Sequence, residues 1–145
     1  MYLDTAILVK LFVPEPDSDF YARMTDRQTI VSSWLAYTET WSALLAKERN
    51  GLLDPRHRAQ AWAEFERNVE EETIRLVPLT IPIFRKVNRI LEACHPHIPL
   101  RSLDAIHLAC CDHVQEWPLC TNDKRMRQAA EHLNFPLGSL FLART

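Results

Sequence analysis

Glycine is scarce in this chain, which has only Gly51 and Gly138 among its 145 residues. Dinucleotide-binding loops and P-loops need several glycines, because backbone N–H groups must come close to phosphate oxygens. Neither GxGxxG nor GxxxxGK[ST] occurs in the sequence. An α/β domain with this composition would therefore have to bind phosphates through side chains or a metal ion.

Long apolar runs are also missing. The longest uncharged stretch is far shorter than the roughly 20 residues that a membrane-spanning helix needs, and no basic segment precedes an apolar one near residue 1. We therefore expect a soluble, cytoplasmic protein with no membrane partner. The four cysteines have no CxxC spacing, and we expect them to be reduced and buried. They are Cys94, Cys110, Cys111 and Cys120.

An excess of charge of one sign is absent as well. The formal net charge is −2, so nothing global attracts a polyanion, and any contact with nucleic acid must be local. Arginine nevertheless supplies 13 of the 17 basic residues, and its planar guanidinium suits bidentate phosphate binding. With 47% apolar and 25% charged residues, the composition fits a single domain over residues 1–145.

Strand and helix patterns alternate along the chain. We expect strands near residues 1–5, 29–33, 75–79, 117–121 and 135–142. We expect helices near residues 6–13, 18–24, 34–50, 55–72, 80–94, 102–114 and 123–134. Pro78 cannot donate to a sheet ladder, which marks the third strand as an edge strand. The order predicts an α/β fold with a mainly parallel sheet of four to five strands, and residues 34–72 form a helical hairpin within it.

Four acidic side chains stand out because their sequence neighbours are apolar or small. Asp4 and Asp123 each follow a predicted strand, where either of them can also cap a helix. Asp104 enters a nearly all-apolar helix, where a charge costs several kcal/mol unless it is paired or bound to a metal, and Arg101 is the obvious partner. Glu39 lies inside a helix and has no cation three or four residues away.

These carboxylates are expected to converge. Sites in open parallel sheets form beyond the carboxyl ends of the strands, where the topology switches direction. Like charges gathered there raise one another's pKa or require a cation, and hard carboxylate oxygens favour Mg²⁺ or Mn²⁺. Zinc would need histidine or thiolate ligands, but His107 with Cys110 or Cys111 lacks a convincing fourth ligand.

At these residues the chain resembles a known family. The segments Leu3-Asp4-Thr5-Ala6, Leu100-Arg-Ser-Leu-Asp-Ala-Ile-His-Leu-Ala109 and Thr121-Asn-Asp123, together with Glu39 in its helix, closely resemble PIN-domain nucleases. Within that family the chain is similar to the VapC-type toxins of toxin–antitoxin pairs. The resemblance covers roughly residues 1–135, and the order Asp, Glu, Asp, Asp is its diagnostic part.

The resemblance implies a three-layer α/β/α PIN-like fold and a Mg²⁺- or Mn²⁺-dependent endoribonuclease that hydrolyses RNA phosphodiester bonds. It implies that four acids meet at one end of the sheet and hold the metal: Asp4, Glu39, Asp104 and Asp123. Supporting hydrogen bonds are expected from Thr5, Thr121 and Asn122. The implied partners are RNA, a VapB-type antitoxin and a second copy of the chain in a homodimer. The segment after Asn134 departs from the family's usual closing strand, and its end beyond Leu137 is left unassigned.

Individual roles stay open at this stage. Asp4 and Asp104 are the first choice as metal ligands, while Glu39 and Asp123 could bind a second ion, position water or act as general base. The candidate RNA-binding cations adjoin Asp104 or Asp123, and they are Arg101, Lys124, Arg125 and Arg127. For Lys124, Arg125 and Arg127 a solvated helix face is an equally simple explanation. Trp41 and Trp62 fit either a partner surface or the core.

Two other functions compete with the nuclease interpretation. A non-catalytic PIN-like module could bind RNA or a partner without cleaving RNA. A different metal-dependent phosphohydrolase is the second alternative. A haloacid-dehalogenase-like enzyme would need another aspartate two residues after Asp4, and position 6 is Ala.

Overall fold

The computed structural model describes residues 1–141. Its strands and helices follow the predicted order closely. In chain order they are β1 (Tyr2–Leu3), α1 (Thr5–Val9), α2 (Ser18–Thr25), β2 (Ile30–Ser33), α3 (Trp34–Arg49), α4 (Pro55–Glu70), β3 (Ile74–Val77), α5 (Ile81–Cys94), α6 (Ser102–Val114), β4 (Leu119–Cys120) and α7 (Lys124–His132).

The strands form one parallel sheet of four in the order β3-β2-β1-β4. Strand β3 lies at an edge, as Pro78 predicted. From β1 the chain moves to β2 on one side, and it later returns to place β4 on the other side. The topology therefore switches direction between β1 and β4, and the carboxyl ends of these two strands flank the switch point.

Helices cover both faces of the sheet, which confirms the three-layer α/β/α fold. Tyr2 and Leu3 are adjacent in β1 and point to opposite faces. Tyr2 packs in the core cluster that includes residues of α5, α6 and α7. Leu3 packs with residues of α1, α2 and α4 in the second cluster. Two layers of core thus hold β1 rigidly at the centre.

The helical hairpin 34–72 is present as α3 and α4. Asp54 caps α4 by accepting a hydrogen bond from the His57 N–H, and Pro55 follows at the first helical position. Aromatic rings hold the two helices together, with the Trp41 and Trp62 ring centroids 4.9 Å apart. Both tryptophans are half-buried. Helix α4 ends at Glu70, so the acidic residues that follow it lie outside the helix.

Several element boundaries differ from the sequence-based expectations, most of all at the first helix and the last strand. The first helix ends at Val9, because the next residues tighten into turns with hydrogen bonds from Lys10 N–H to Ile7 O and from Leu11 N–H to Leu8 O. The expected strand at 135–142 is reduced to one parallel bridge between Leu119 and Leu137. Leu142, the end of that expected strand, lies outside the described residues.

All four cysteines are free and buried, as predicted. Burial raises the pKa of the Cys110 and Cys120 thiols to about 11. Thiols with pKa values this high carry almost no nucleophilic thiolate at neutral pH. Among residues 1–141, no helix combines the length and apolar character that crossing a membrane requires.

Candidate functional site

The end of β1 is tied directly to the end of β4. The Asp4 N–H donates to Cys120 O over 3.1 Å. The Asp4 side chain then turns back to cap α1, where its Oδ1 accepts from the Ile7 N–H at 2.9 Å. On the neighbouring strand, the Asp123 N–H donates to the Thr121 hydroxyl. The sequence thus places two aspartates on adjacent strand ends and uses both as helix caps.

Asp4 lies deep in the site, with only 5% of its surface exposed. Burial raises its pKa above the ordinary value, and the charge of Glu39 raises it further. Hydrogen bonding from Thr121 and the Ile7 N–H, together with the nearby His107, lowers the pKa but does not cancel the effect of burial. The site therefore holds a carboxylate whose charge the protein alone stabilises poorly.

Glu39 extends from α3 into a hydrogen-bonded network that starts in the core. Its Oε1 accepts from the Thr5 hydroxyl at 2.7 Å and lies 2.8 Å from Nε2 of His107. The other ring nitrogen, Nδ1, lies 2.9 Å from the hydroxyl of Tyr2. Burial alone would raise the Glu39 pKa, but the bonds from His107 and Thr5 outweigh it and lower the pKa.

Asp104 and Asp123 are joined by Arg101. The guanidinium donates from Nε to Oδ2 of Asp104 at 2.9 Å and from Nη2 to Oδ2 of Asp123 at 3.2 Å. The other oxygen of Asp123 caps α7, accepting from the Arg125 and Met126 N–H groups. Arg101 was predicted as the partner of Asp104, and the structure places it between two acids that are 19 positions apart in the chain.

Two open grooves meet at Glu39. The larger, about 700 Å³, has Thr5, Glu39 and Asn122 among its lining residues, together with the charged residues Lys10, Glu15 and Lys47. The second, about 480 Å³, is lined by Glu39, Arg101 and Asp104 among others. Glu39 and Asp104 therefore face a common groove, whereas Asp4 lies buried beneath it and contributes to neither wall.

Asp104 and Asp123 are bridged by Arg101, whereas Asp4 and Glu39 interact through their charges, because Glu39 raises the pKa of Asp4. Within residues 1–141, no group of three or more His, Cys, Asp or Glu side chains is arranged to hold a metal ion. The chemistry of the donors nevertheless fits Mg²⁺ or Mn²⁺, because every candidate ligand is a hard oxygen. In this arrangement the positive charge beside Asp104 and Asp123 belongs to the guanidinium of Arg101.

The other predicted residues fall around these acids. Thr5 binds Glu39, and Thr121 accepts from Asp123, as described above. Asn122 is exposed, and its Oδ1 accepts from the Tyr21 hydroxyl at 2.6 Å. Lys124 is exposed and Arg125 half-buried. Arg127 donates to the carbonyls of Thr121 and Gly138, so part of its guanidinium holds the last described segment against β4.

Sequence reasoning missed Tyr2 and His107 as members of the site. The available signal was a single histidine in the apolar run from Ala105 to Cys111, three residues after Asp104. A buried imidazole needs a partner for each ring nitrogen, and positions three apart on a helix lie on the same face. The partners themselves, Tyr2 and Glu39, come from distant parts of the chain.

An α/β/α sandwich with carboxylates around a β1/β4 switch point is the class that this fold and site define. The sequence matches the family model described as PIN domain over residues 1–132. The chain belongs to the PIN-domain family, and its curated relatives are of the VapC type.

Two relatives from Mycobacterium tuberculosis are similar along almost the whole chain. A protein named Ribonuclease VapC46, from strain ATCC 25618 / H37Rv, is 38% identical over 138 residues, which cover 92% of each chain. A protein named Ribonuclease VapC35, from strain CDC 1551 / Oshkosh, is 32% identical over 143 residues and again covers 92% of both chains. The family-model match over residues 1–132 includes every helix and strand of the described structure.

Proposed function

We propose that this protein is a Mg²⁺- or Mn²⁺-dependent endoribonuclease and the toxin of a VapBC-type toxin–antitoxin pair. The relatives named ribonucleases, which align over 92% of the chain, support an RNA-cleaving activity. The observation that carries the proposal is the position of four acids around the β1/β4 switch point, with Glu39 and Asp104 lining one groove. A polyanionic substrate would approach such a site only if a cation offset its charge.

The metal ligands in this proposal are Asp4, Glu39, Asp104 and Asp123. A bound divalent ion supplies Lewis-acid activation of the scissile phosphate and of water. Glu39 is suited to work beside it, because its lowered pKa keeps it ionised at neutral pH. Both hydrogen bonds that Glu39 accepts fall on Oε1, which leaves Oε2 available to bind a cation or to accept a proton from water.

Arg101 has a second use in this proposal. Its side chain is 57% exposed and donates to Asp104 and Asp123 from two different nitrogens. A cation bound by those carboxylates would compete with the guanidinium. Once displaced, Arg101 could donate to an RNA phosphate, and Lys124 and Arg125 add further positive charge at the start of α7, next to Asp123.

The test is RNA cleavage by Asp104→Asn with Mn²⁺ present and with EDTA. We expect Asp104→Asn to reduce the cleavage rate by at least about 100-fold, on the scale of losing a group that stabilises charge in the transition state. Asp112→Asn is the matched control, because Asp112 lies in the same helix but pairs with Lys86. Unimpaired cleavage by Asp104→Asn, or wild-type cleavage that persists in EDTA, would refute the proposal.

A non-catalytic RNA- or partner-binding module is the second candidate. The observation that favours it is the engagement of Asp104 and Asp123 by Arg101 in place of a metal-ready cluster. Titration with Mn²⁺ separates the two functions: no binding at millimolar concentrations supports the module. A parallel assay with phosphomonoesters detects the remaining alternative, a small-molecule phosphohydrolase.

We further propose a homodimer, an antitoxin of the VapB type and a cytoplasmic location. These follow from the VapC-type relatives. Light scattering of the purified protein measures the oligomeric state. Co-purification with the product of an adjacent gene, accompanied by loss of RNA cleavage, would identify the antitoxin.

A further inference from the structure

His107 has a partner for each ring nitrogen although it lies in an apolar, buried stretch of α6. Only 3% of its surface is exposed, and its neighbours in α6 are alanine, isoleucine and leucine. Nε2 lies 2.8 Å from Oε1 of Glu39, and Nδ1 lies 2.9 Å from the Tyr2 hydroxyl. One imidazole therefore joins the central strand β1 to a carboxylate of α3.

The direction of one of these hydrogen bonds follows from chemistry. An ionised carboxylate can only accept, so Nε2 must carry the proton that it shares with Glu39. In neutral imidazole Nδ1 then accepts from the Tyr2 hydroxyl, and in the imidazolium it donates to that hydroxyl. The contact with Glu39 is the same in both states and does not depend on the protonation of the ring.

The consequence for Glu39 is a fixed orientation. Oε1 receives the Nε2–H of His107 and the hydroxyl of Thr5, which also lies 3.3 Å from Nε2. With Oε1 held by two donors, Oε2 is the oxygen left for the grooves that Glu39 lines. His107 is three residues from Asp104 on α6, so the same contact sets the position of Glu39 relative to Asp104.

We infer that His107 is a positioning residue for Glu39 and that Tyr2 holds its ring in place. This inference deepens the proposed function, on which it rests. His107 is buried and lines neither groove, so it acts on the reaction through the carboxylate that it orients. The residues that position a ligating carboxylate typically contribute about 10- to 100-fold to metal affinity or activity.

A double-mutant cycle tests this inference. The variants are Glu39→Gln, His107→Leu and the two combined, with RNA cleavage rate and Mn²⁺ dissociation constant measured for each. We expect His107→Leu alone to lower both activity and affinity by about 10- to 100-fold. In the Glu39→Gln background the same change should have little further effect, because two residues that act through one contact are not additive.

Two more variants distinguish loss of the contact between His107 and Glu39 from loss of folding. His107→Gln keeps an N–H donor that can reach Glu39 and should retain most of the activity, whereas Tyr2→Phe removes the contact to Nδ1 and should cause a smaller loss than His107→Leu. His113→Gln is the control, because His113 is exposed at the far end of the same helix. Equal thermal stability of the compared variants removes folding as the cause.

A crystal structure of the metal-free His107→Leu or His107→Gln variant adds a readout that needs no activity. We expect the Glu39 carboxylate to leave its wild-type position in His107→Leu and to keep it in His107→Gln. Additive losses in the cycle, or an unmoved Glu39 in His107→Leu, would overturn the inference and leave the proposed nuclease intact. Failure of the wild type to cleave RNA would instead overturn the proposed function.

Discussion

Asp4 combines two tasks in one buried side chain, a helix cap and a charge at the site. Asparagine caps helices about as well as aspartate, and alanine at a cap position typically costs about 1 kcal/mol. We therefore expect Asp4→Asn to keep the stability of the wild type and to lose metal-dependent RNA cleavage, whereas Asp4→Ala should lose stability as well. Urea denaturation and a cleavage assay measure the two effects separately. Full activity in Asp4→Asn would remove Asp4 from the proposed metal ligands.

Glu15 is held by two lysines, and all three residues line the larger groove. Its carboxylate lies 2.6 Å from Nζ of Lys47 and 3.0 Å from Nζ of Lys10. Burial would raise the Glu15 pKa, but hydrogen bonds and attraction from the two lysines outweigh it and lower the pKa from its ordinary value of 4.5. The ion pairs therefore stabilise the fold above pH 4.5, and this contribution disappears as pH falls through the lowered pKa.

The corresponding prediction concerns Glu15→Gln. At pH 7 this variant should be less stable than the wild type by about 1 kcal/mol, the upper range for partly exposed pairs, and the difference should vanish in strongly acidic buffer. Denaturation curves across that pH range measure it. Glu64→Gln serves as the control, since Glu64 is exposed in α4. A stability gap that is constant with pH would contradict the assignment.

Single residues explain how much of the site the sequence could predict. Glu39 was identifiable because it lies inside a helix and has no cation three or four residues away. Arg101 was identifiable because it is three residues from Asp104. His107 was missed, since its partners Tyr2 and Glu39 lie 105 and 68 positions away. Contacts of that kind arise only when three elements pack together, so neither residue spacing nor secondary-structure propensity predicts them.

At the scale of elements, the sequence predicted the order of strands and helices and erred where short segments end. Pro78 marked the edge strand correctly, because a missing N–H is a local property of proline. The end of α1 was misplaced, since turns of three residues satisfy the backbone after Val9 nearly as well as a helix does. The last strand was overestimated, because its pairing with β4 depends on two backbone bonds, from Leu119 N–H to Pro136 O and from Gly138 N–H to Leu119 O.

Gly138 sets how closely this last segment approaches β4. A Cβ at position 138 would lie 2.5 Å from Sγ of Cys120, which is too close for an unstrained contact. We expect Gly138→Ala to destabilise the protein by about 1–3 kcal/mol through overpacking. In the Cys120→Ala background, which removes the sulfur, the same substitution should cost less. Denaturation of the four proteins under reducing conditions measures the coupling, and additive effects would show that Cys120 is not the obstacle.

Four of the 19 acidic residues lie around one switch point, in a molecule whose net charge is only −2. The fold tolerates this concentration because each acid has a local role: Asp4 and Asp123 cap helices, Glu39 binds His107 and Thr5, and Asp104 binds Arg101. The three-layer fold follows from the chain order and is confirmed by the parallel sheet. The position of the switch between β1 and β4 became visible only with the strand order.

Substitution of Arg101 should lower the stability of the protein, because the charges of Asp104 and Asp123 would no longer be balanced. Without metal, Arg101→Gln leaves Asp104 and Asp123 without their shared cation, so we expect a lower melting temperature in EDTA than for the wild type. Millimolar Mn²⁺ should restore most of the loss, because a ligand that binds only the folded protein stabilises it. Arg56→Gln is the control, since Arg56 is exposed in α4. A melting temperature that Mn²⁺ fails to raise would argue against metal binding beside these aspartates.

Arg101 also allows the protein to stay folded when no divalent ion is bound. Small zinc-binding domains unfold when their metal is withdrawn, because the metal itself supplies their folding energy. Here an arginine of the same chain balances Asp104 and Asp123, and the cores on both faces of the sheet are built from apolar side chains. For the metal-dependent nuclease proposed above, a shortage of divalent ions would therefore stop catalysis without unfolding the protein.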